Sequence, residues 1–184
     1  MNSRPLRLGL IYGSSRRDRF CDTIGSWAQD RLAQSRYFDI DLIDPQQLDL
    51  PALLHQEDCA ARQALRQRLA AADCFVLVTP EYNHSFTAAA KLIIDAASAE
   101  WVEKPIAFLS YGGISGGLRA VEQLRLVFAE LQAIAIRDSV SIANAWRITD
   151  TQGRLLPGAE TSRAMEVMIG RLQRWALRLR EIRE

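Results

Sequence analysis

The run Cys74–Thr79 is apolar at nearly every position and ends at Pro80. A strand that is apolar on both faces is typical of the centre of a parallel sheet, where helices cover both sides. Proline at the end of the run stops the backbone ladder because it has no N–H group. Of all the segments in the chain, this one most strongly favours an α/β fold.

The rest of the chain alternates between short apolar runs and longer stretches with helical spacing. The expected strands are Leu6–Tyr12, Phe38–Ile43, Cys74–Thr79, Ile106–Ser110 and Ile134–Ile142. The expected helices are Cys21–Gln34, Ala60–Ala72, Thr87–Ala99, Leu118–Leu131 and Thr161–Ile182. This alternation predicts a single flavodoxin-like domain over 1–184, with a doubly wound five-stranded parallel sheet in the order 2-1-3-4-5. A ligand then belongs at the carboxyl ends of strands one, three and four.

Composition argues against several classes of protein. The 184 residues include 23 Lys and Arg against 22 Asp and Glu, so no strongly charged partner such as nucleic acid is expected. No apolar run approaches the roughly 18 residues of a membrane span, and the N-terminus lacks a signal-peptide pattern. Three cysteines without a C-x-x-C pair and only two histidines predict no disulfide framework and no metal site. We therefore expect a cytoplasmic protein with no membrane partner.

The loop after the first strand, GSSRRDRF at 13–20, is the first candidate binding site. Backbone N–H groups and the dipole of the following helix attract an anion, and Ser14 and Ser15 add hydroxyl donors. Arg16 or Arg19 can supply positive charge. The loop fits neither the P-loop nor the G-x-G-x-x-G pattern, so one phosphate monoester suits it better than a pyrophosphate. An ordinary turn with solvated arginines is the alternative.

The loop after the third strand, PEYNHSF at 80–86, carries three aromatic or imidazole side chains that could flank a planar ring. The alternative is a turn in which Ser85 caps the next helix, and both interpretations can hold together. A lone loop histidine is more often a surface or stacking residue than an acid or base. No catalytic residue is therefore assigned, although His84 is the candidate.

The loop after the fourth strand, SYGGISGG at 110–117, contains four glycines within six residues. Glycines expose backbone N–H groups and let a ligand approach the backbone closely. A simple turn needs one or two glycines, so this number favours a binding function.

The three loops resemble those of the flavodoxin-like NADPH-dependent FMN reductase family, which includes flavin, quinone, azo-dye and chromate reductases. The similar stretches are GSSRRDR at 13–19, PEYNHS at 80–85 and EWVEKPIAFLSYGGISGGLRAVEQLR at 100–125. Their order and spacing extend the resemblance from about residue 6 to residue 142. Family members often have proline where Thr87 stands, and a tryptophan in the next helix that this chain lacks.

The resemblance implies a set of cofactor-binding residues. It places an FMN phosphate at the first loop, the flavin ring and ribityl chain at the second, and the isoalloxazine edge at the third. The implied residues are Ser14, Arg16, Arg19, Phe20, Pro80, Glu81, Tyr82, Asn83, Ser110, Tyr111, Gly112, Gly113, Ser115 and Gly116.

The resemblance also implies the activity. Hydride would pass from NADPH or NADH to bound FMN, and then to a flavin, quinone, azo or similar small-molecule acceptor by a ping-pong mechanism. An FMN-binding electron-transfer or regulatory protein without NAD(P)H turnover is the alternative. The net charge of +1 argues against electron transfer, because flavodoxins usually carry a strongly acidic docking surface.

A homodimer or homotetramer is expected as well. In the resembling family a second subunit commonly walls the flavin pocket. The helix Thr87–Ala99 is rich in alanine, and Leu92, Ile93 and Ile94 give it more apolar surface than one core-facing stripe needs.

Overall fold

A computed structural model describes residues 4–51 and 59–183. The strands are β1 (Leu6–Tyr12), β2 (Phe38–Ile43), β3 (Cys74–Pro80), β4 (Pro105–Gly112), β5 (Ile134–Ala135) and β6 (Val140–Ala143). The helices are α1 (Cys21–Ser35), α2 (Ala60–Ala71), α3 (Ala88–Asp95), α4 (Leu118–Glu130) and α5 (Ala159–Arg183). Short 3-10 turns lie at Ala99–Trp101 and Ala145–Arg147.

The sheet confirms the predicted topology. All pairings are parallel, and the order is β2-β1-β3-β4-β5, with β6 also pairing with β4. Every residue of β3 is buried, as its apolar run predicts for a central strand.

The fifth strand differs from the prediction, because Ile134–Ile142 is interrupted. β5 pairs with the start of β4 and β6 with its end. The Ile136 N–H still donates to the Ile106 carbonyl at 2.9 Å, and residues 137–139 between the two strands leave the sheet. Arg125 of α4 donates hydrogen bonds to the carbonyl oxygens of Ile136 (2.7 Å) and Arg137 (3.0 Å). The guanidinium thus satisfies these carbonyl oxygens where the ladder is interrupted, beside the exposed Arg137 and the Asp138 carboxylate that pairs with Arg171.

The sheet separates two apolar cores. α1 and α5 cover one face, where Ile24 of α1 and Met168 of α5 are fully buried. α2, α3 and α4 cover the other, where Trp101 packs against Phe75 and Phe128 with ring centroids 4.8 and 5.4 Å apart. Helices on both faces leave the carboxyl ends of the strands as the open edge of the fold.

The helix after β3 also differs from expectation: α3 is shorter than Thr87–Ala99, and Ser85 is not its cap. Thr87 is the N-cap, because its hydroxyl oxygen accepts a hydrogen bond from the Ala90 N–H at 3.0 Å. The same hydroxyl donates to the carbonyl oxygen of Gly13. Thr87 therefore links the loop after β3 to the loop after β1.

In the described part of the chain, no helix combines the length and apolar character that crossing a membrane requires.

Candidate functional site

The three loops singled out in the sequence meet at the carboxyl edge of β1, β3 and β4. The Ser14 and Tyr82 hydroxyl oxygens lie 3.0 Å apart and share a hydrogen bond. The Glu81 N–H donates to the Tyr111 carbonyl oxygen at 3.1 Å. Together with the Thr87–Gly13 bond, these contacts hold the loops in fixed positions relative to one another.

The first loop presents backbone donors to solvent. Residues 15–18 are exposed, and their N–H groups have no hydrogen-bond acceptor among residues 4–51 and 59–183. They precede α1, whose dipole adds partial positive charge. Arg16 is exposed here, with its guanidinium carbon 3.8 Å from the centroid of the Tyr82 ring. This arrangement suits a small anion.

Arg19 lies in the same loop but points into the protein. Its guanidinium makes two hydrogen bonds with the Asp44 carboxylate, at 2.6 and 2.7 Å, and a third with Asp22 at 2.8 Å. Burial raises the pKa of Asp44, but the bonds from Arg19 and the Gln46 N–H outweigh it and hold that pKa below its usual range. The charge of Arg19 is therefore compensated within the protein, which leaves Arg16 as the exposed cation of the two.

The second loop contains a two-residue turn. The Tyr82 N–H donates to the Ser85 carbonyl at 2.9 Å, and the Ser85 N–H donates back at 3.1 Å. Asn83 and His84 between them have φ values of +49° and +71°, the pattern of a type I′ turn. Both side chains are exposed. Gln123 of α4 fastens the turn through the Ser85 hydroxyl (2.6 Å) and the His84 carbonyl (2.9 Å).

Glu81 turns away from the open edge and towards α4. Its carboxylate accepts hydrogen bonds from the Ser115 hydroxyl at 2.7 Å and from the Arg119 guanidinium at 2.8 Å. Arg119 is not among the candidate site residues predicted from the sequence, although its position at the start of α4 points to a charged partner. A cation in the first turn of a helix opposes the helix dipole, so it predicts an acidic partner nearby.

The third loop is glycine-rich for two different reasons. Gly116 and Gly117 have φ values of +58° and +85°, and a Cβ on Gly117 would lie 2.7 Å from the Cβ of Ser110. The fold itself thus requires these two glycines. Gly113 has no positive φ, and among the described residues the atom nearest to a Cβ added there belongs to the Trp146 ring, 4.0 Å away. Gly113 is therefore uncrowded and lies in reach of the Trp146 ring.

The backbone of this third loop also presents donors. The N–H groups of residues 113–115 have no acceptor within the described ranges. The third loop is therefore a second place where backbone donors can stabilise negative charge.

Tyr111 and Phe20 face the interior. Tyr111 is 5% exposed, and its ring centroid lies 6.0 Å from that of Phe20, which is half-buried. Burial raises the pKa of Tyr111 above its usual range. Ser110 is also buried and donates its hydroxyl to the Gly116 carbonyl at 2.8 Å.

The implied cofactor residues thus fall into three sets. One group has side chains bound to or packed against other parts of the protein: Ser14, Arg19, Phe20, Glu81, Tyr82, Ser110, Tyr111 and Ser115. The other group lies at the open edge: Arg16, Asn83 and Gly113. Pro80 and Gly112 end β3 and β4, and Gly116 supplies backbone to the third loop. Whether either group contacts FMN stays a prediction, but the first shapes the loops that the second presents.

No group of three or more His, Cys, Asp or Glu side chains that could hold a metal ion occurs within 4–51 and 59–183.

Comparison with known proteins adds an independent observation. The family described as NADPH-dependent FMN reductase matches residues 6–147. NAD(P)H-dependent FMN reductase C4B3.06c of Schizosaccharomyces pombe is 34% identical over 119 residues, 59% of this chain and 58% of that protein. NAD(P)H-dependent FMN reductase LOT6 of Saccharomyces cerevisiae is 30% identical over 145 residues, 69% and 75% of the two chains.

This chain matches less than two thirds of the length of some of these relatives. The matched region covers 58% of the Schizosaccharomyces pombe protein, and 63% of an NAD(P)H:quinone oxidoreductase of Solanum tuberosum. Among solved structures, the flavoenzyme NAD(P)H:(acceptor) oxidoreductase FerB of Paracoccus denitrificans has a TM-score of 0.77 at 21% identity. That similarity covers 94% of this chain and 98% of FerB. At this level of identity the likeness supports the fold.

Proposed function

The chain belongs to the NADPH-dependent FMN reductase family, and on this basis we propose that it is an NAD(P)H-dependent oxidoreductase that binds FMN. The electrons would pass to a small-molecule acceptor such as a flavin, a quinone or an azo compound. The single observation that carries the proposal is the row of exposed N–H groups at 15–18, in the loop that leads into α1, which have no acceptor among residues 4–51 and 59–183.

This row fits the phosphate of FMN. A phosphate monoester accepts several N–H bonds at a helix N-terminus, and Arg16 adds an exposed positive charge beside it. One such site matches FMN, which has one phosphate, better than FAD, whose pyrophosphate and adenosine need more room. We assign the phosphate to this loop, with Arg16 as its charged contact.

The flavin ring fits the space between the second and third loops. Gly113 lets a ligand approach the backbone of the third loop, because a Cβ there would meet only the Trp146 ring among the described residues, and the second loop presents the exposed Asn83-His84 turn at the same edge. The N–H groups of residues 113–115, which have no acceptor within the described ranges, belong to this third loop and would stabilise negative charge there, in the manner of an oxyanion hole.

When bound, FMN would supply the two-electron chemistry that carries hydride from a nicotinamide to the acceptor. The protein's residues bind and orient. Glu81 holds the glycine-rich loop in place through Ser115 and Arg119, and Arg16 neutralises the phosphate. Hydride transfer needs no side-chain acid, and protons for the acceptor come from solvent. Since nicotinamide and acceptor use the same open face in turn, we propose ping-pong kinetics.

We also propose that the protein works in the cytoplasm. Cys21, Cys59 and Cys74 are all free thiols, which fits a reducing compartment.

Three measurements test the proposal. Chromatography of the released flavin should give about one FMN per chain, and stoichiometric FAD would contradict the cofactor assignment. Anaerobic mixing with NADPH and with NADH should bleach the flavin absorbance. A flavin that stays oxidised with both nucleotides would instead indicate an electron-transfer or regulatory protein. Double-reciprocal plots at several acceptor concentrations should be parallel, as ping-pong kinetics requires.

A further inference from the structure

Trp146 lies at the same edge of the sheet as the three loops, although the sequence motifs do not include it. It belongs to the turn Ala145–Arg147, which follows β6 almost directly. β6 runs parallel to β4, so the carboxyl ends of both strands meet at one edge. The Trp146 side chain is 54% exposed there, which is unusual for the largest apolar side chain.

The backbone that carries Trp146 is firmly held. The Asn144 N–H donates to the carbonyl oxygens of Gly112 (2.8 Å) and Gly113 (3.1 Å). Ala145 is fully buried, and the Arg147 N–H donates to the Asn144 carbonyl at 2.9 Å. The turn is thus fastened to the glycine-rich loop itself, and the ring has a fixed base beside the proposed flavin site.

The indole lies against the glycine-rich loop and keeps half of its surface exposed. Among the described residues, and apart from the chain neighbours of Gly113, the nearest atom to a Cβ built on Gly113 is Cη2 of Trp146, at 4.0 Å. Neither a positive φ nor crowding by the described residues requires glycine at this position. An exposed indole held against a glycine presents a flat surface on which a planar molecule can pack.

We propose that Trp146 is a specificity-determining residue, forming the wall against which planar aromatic electron acceptors pack after the nicotinamide has left. This inference rests on the proposed function. It predicts that a flat acceptor such as a naphthoquinone depends on the indole. An acceptor that is not planar and cannot stack, such as ferricyanide, does not.

The variants are Trp146→Ala, Trp146→Phe and, as a matched control, Trp175→Ala. Trp175 is 43% exposed, similar to Trp146, but lies on α5. Each is saturated with FMN, and kcat/KM is measured for menadione and for ferricyanide with NADPH. FMN affinity and the rate of flavin reduction are measured separately. Light scattering gives the mass of each variant.

We expect Trp146→Ala to lower kcat/KM for menadione by about 3- to 10-fold, the size of one aromatic contact. Trp146→Phe should restore most of the loss, because a smaller ring still stacks. FMN affinity and mass should stay near wild type in all variants. Turnover with ferricyanide should fall less than turnover with menadione, because any effect of the ring on the nicotinamide is common to both acceptors. Trp175→Ala should leave both acceptors unaffected.

Several outcomes would overturn the inference. An unchanged kcat/KM for menadione in Trp146→Ala would do so, as would equal losses with both acceptors. A Trp146→Ala protein that loses activity as it dissociates into single chains would show that the indole serves a subunit interface instead. A wild-type protein that neither binds FMN nor oxidises NAD(P)H would overturn the proposed function, and the role of Trp146 with it. An active wild type with an unaffected Trp146→Ala variant overturns the role of Trp146 alone.

Discussion

The Glu81 carboxylate accepts hydrogen bonds from both the guanidinium (2.8 Å) and the backbone N–H (3.2 Å) of Arg119. It thereby ties the end of β3 to the first turn of α4. The N-cap of α4, Gly117, has no side chain to satisfy that turn, so the carboxylate of a distant residue takes over the role of a cap. Burial opposes ionisation of Glu81, but the bonds from Arg119 and Ser115 outweigh it and lower the pKa of Glu81.

Glu81→Gln should therefore destabilise the protein and weaken FMN binding together. The amide keeps the shape of the side chain but loses the charge that Arg119 and the helix dipole favour. We expect a loss of about 1–2 kcal/mol in the free energy of unfolding, since Arg119 is partly exposed and solvent screens the pair. Thermal unfolding and an FMN titration measure the two effects. Glu122→Gln, an exposed carboxylate on the same helix, is the control.

The Glu81 effect should depend on pH with a defined sign. Because its pKa is lowered in the folded protein, the carboxylate stabilises the fold fully above the unfolded pKa of 4.5. The stabilisation disappears as pH falls through the lower, folded pKa. The difference in unfolding free energy between wild type and Glu81→Gln should accordingly be constant above about pH 5 and shrink in more acidic solution. A difference that grows with acidity would contradict the assignment.

Arg16 and Arg19 give a contrasting pair of predictions. Arg16→Ala should weaken FMN binding by about 10- to 150-fold, the value of a charge-assisted phosphate contact, with the unfolding midpoint unchanged. Arg19→Ala should instead lower the free energy of unfolding by about 3–5 kcal/mol, because it leaves the Asp44 carboxylate buried without its partner. Calorimetry and flavin titration on both variants separate the roles. The opposite results would mean that Arg19 binds the phosphate and that Arg16 stabilises the fold.

The strands and the location of the site could be predicted because both follow from local patterns. Apolar runs between turn residues gave β1 and β2 with their observed bounds, and parallel topology placed three loops at one edge. Which loop side chains turn inward could not be predicted in the same way. Arg19 meets Asp44, 25 residues further along the chain, and no periodic pattern announces such a pairing.

Two other departures have tertiary causes. Ser85 and Thr87 are both good caps, and Thr87 is the cap because the tight Asn83-His84 turn directs Ser85 to Gln123. The fifth strand is interrupted where Arg125, on a helix, supplies donors that another strand would otherwise provide. In each case a side chain distant in sequence decides between two locally acceptable structures.

We predict a homo-oligomer of at least two chains, although the surface that supports it is smaller than the sequence suggested. Ile93 and Ile94 are buried in the chain's own core, whereas Leu92 is half-buried. Leu92 lines a groove of about 590 Å³ with Leu48 and Leu50. Light scattering at micromolar concentration should show the oligomer. Leu92→Arg should reduce the mass to one chain, because a buried unpaired charge is costly.

The control for that experiment is Leu126→Arg on α4, where the original side chain is 74% exposed. It should leave the mass unchanged. A wild-type protein that is monomeric and fully active would contradict the prediction of an oligomer.

His84 should be dispensable for flavin reduction, and its positive φ should lower the free energy of unfolding. Its φ of +71° is strained for a residue with a Cβ, whereas glycine adopts such a φ freely and Asn-Gly is the preferred type I′ pair. His84→Gly should thus raise the free energy of unfolding by about 0.5–1 kcal/mol relative to His84→Ala, which keeps the Cβ. Thermal unfolding of the two variants measures the difference, and equal stabilities would mean that the turn relaxes.

The same two variants test the role of the imidazole in the reaction. Both should leave the rate of flavin reduction by NAD(P)H within a few-fold of wild type, because hydride transfer needs alignment rather than a proton donor. Stopped-flow measurement of both half-reactions is the check. A collapse of flavin reduction in His84→Ala would place the side chain in nicotinamide binding. A loss of about 10²-fold or more confined to reduction of the acceptor, in both variants, would make His84 the proton donor in place of solvent.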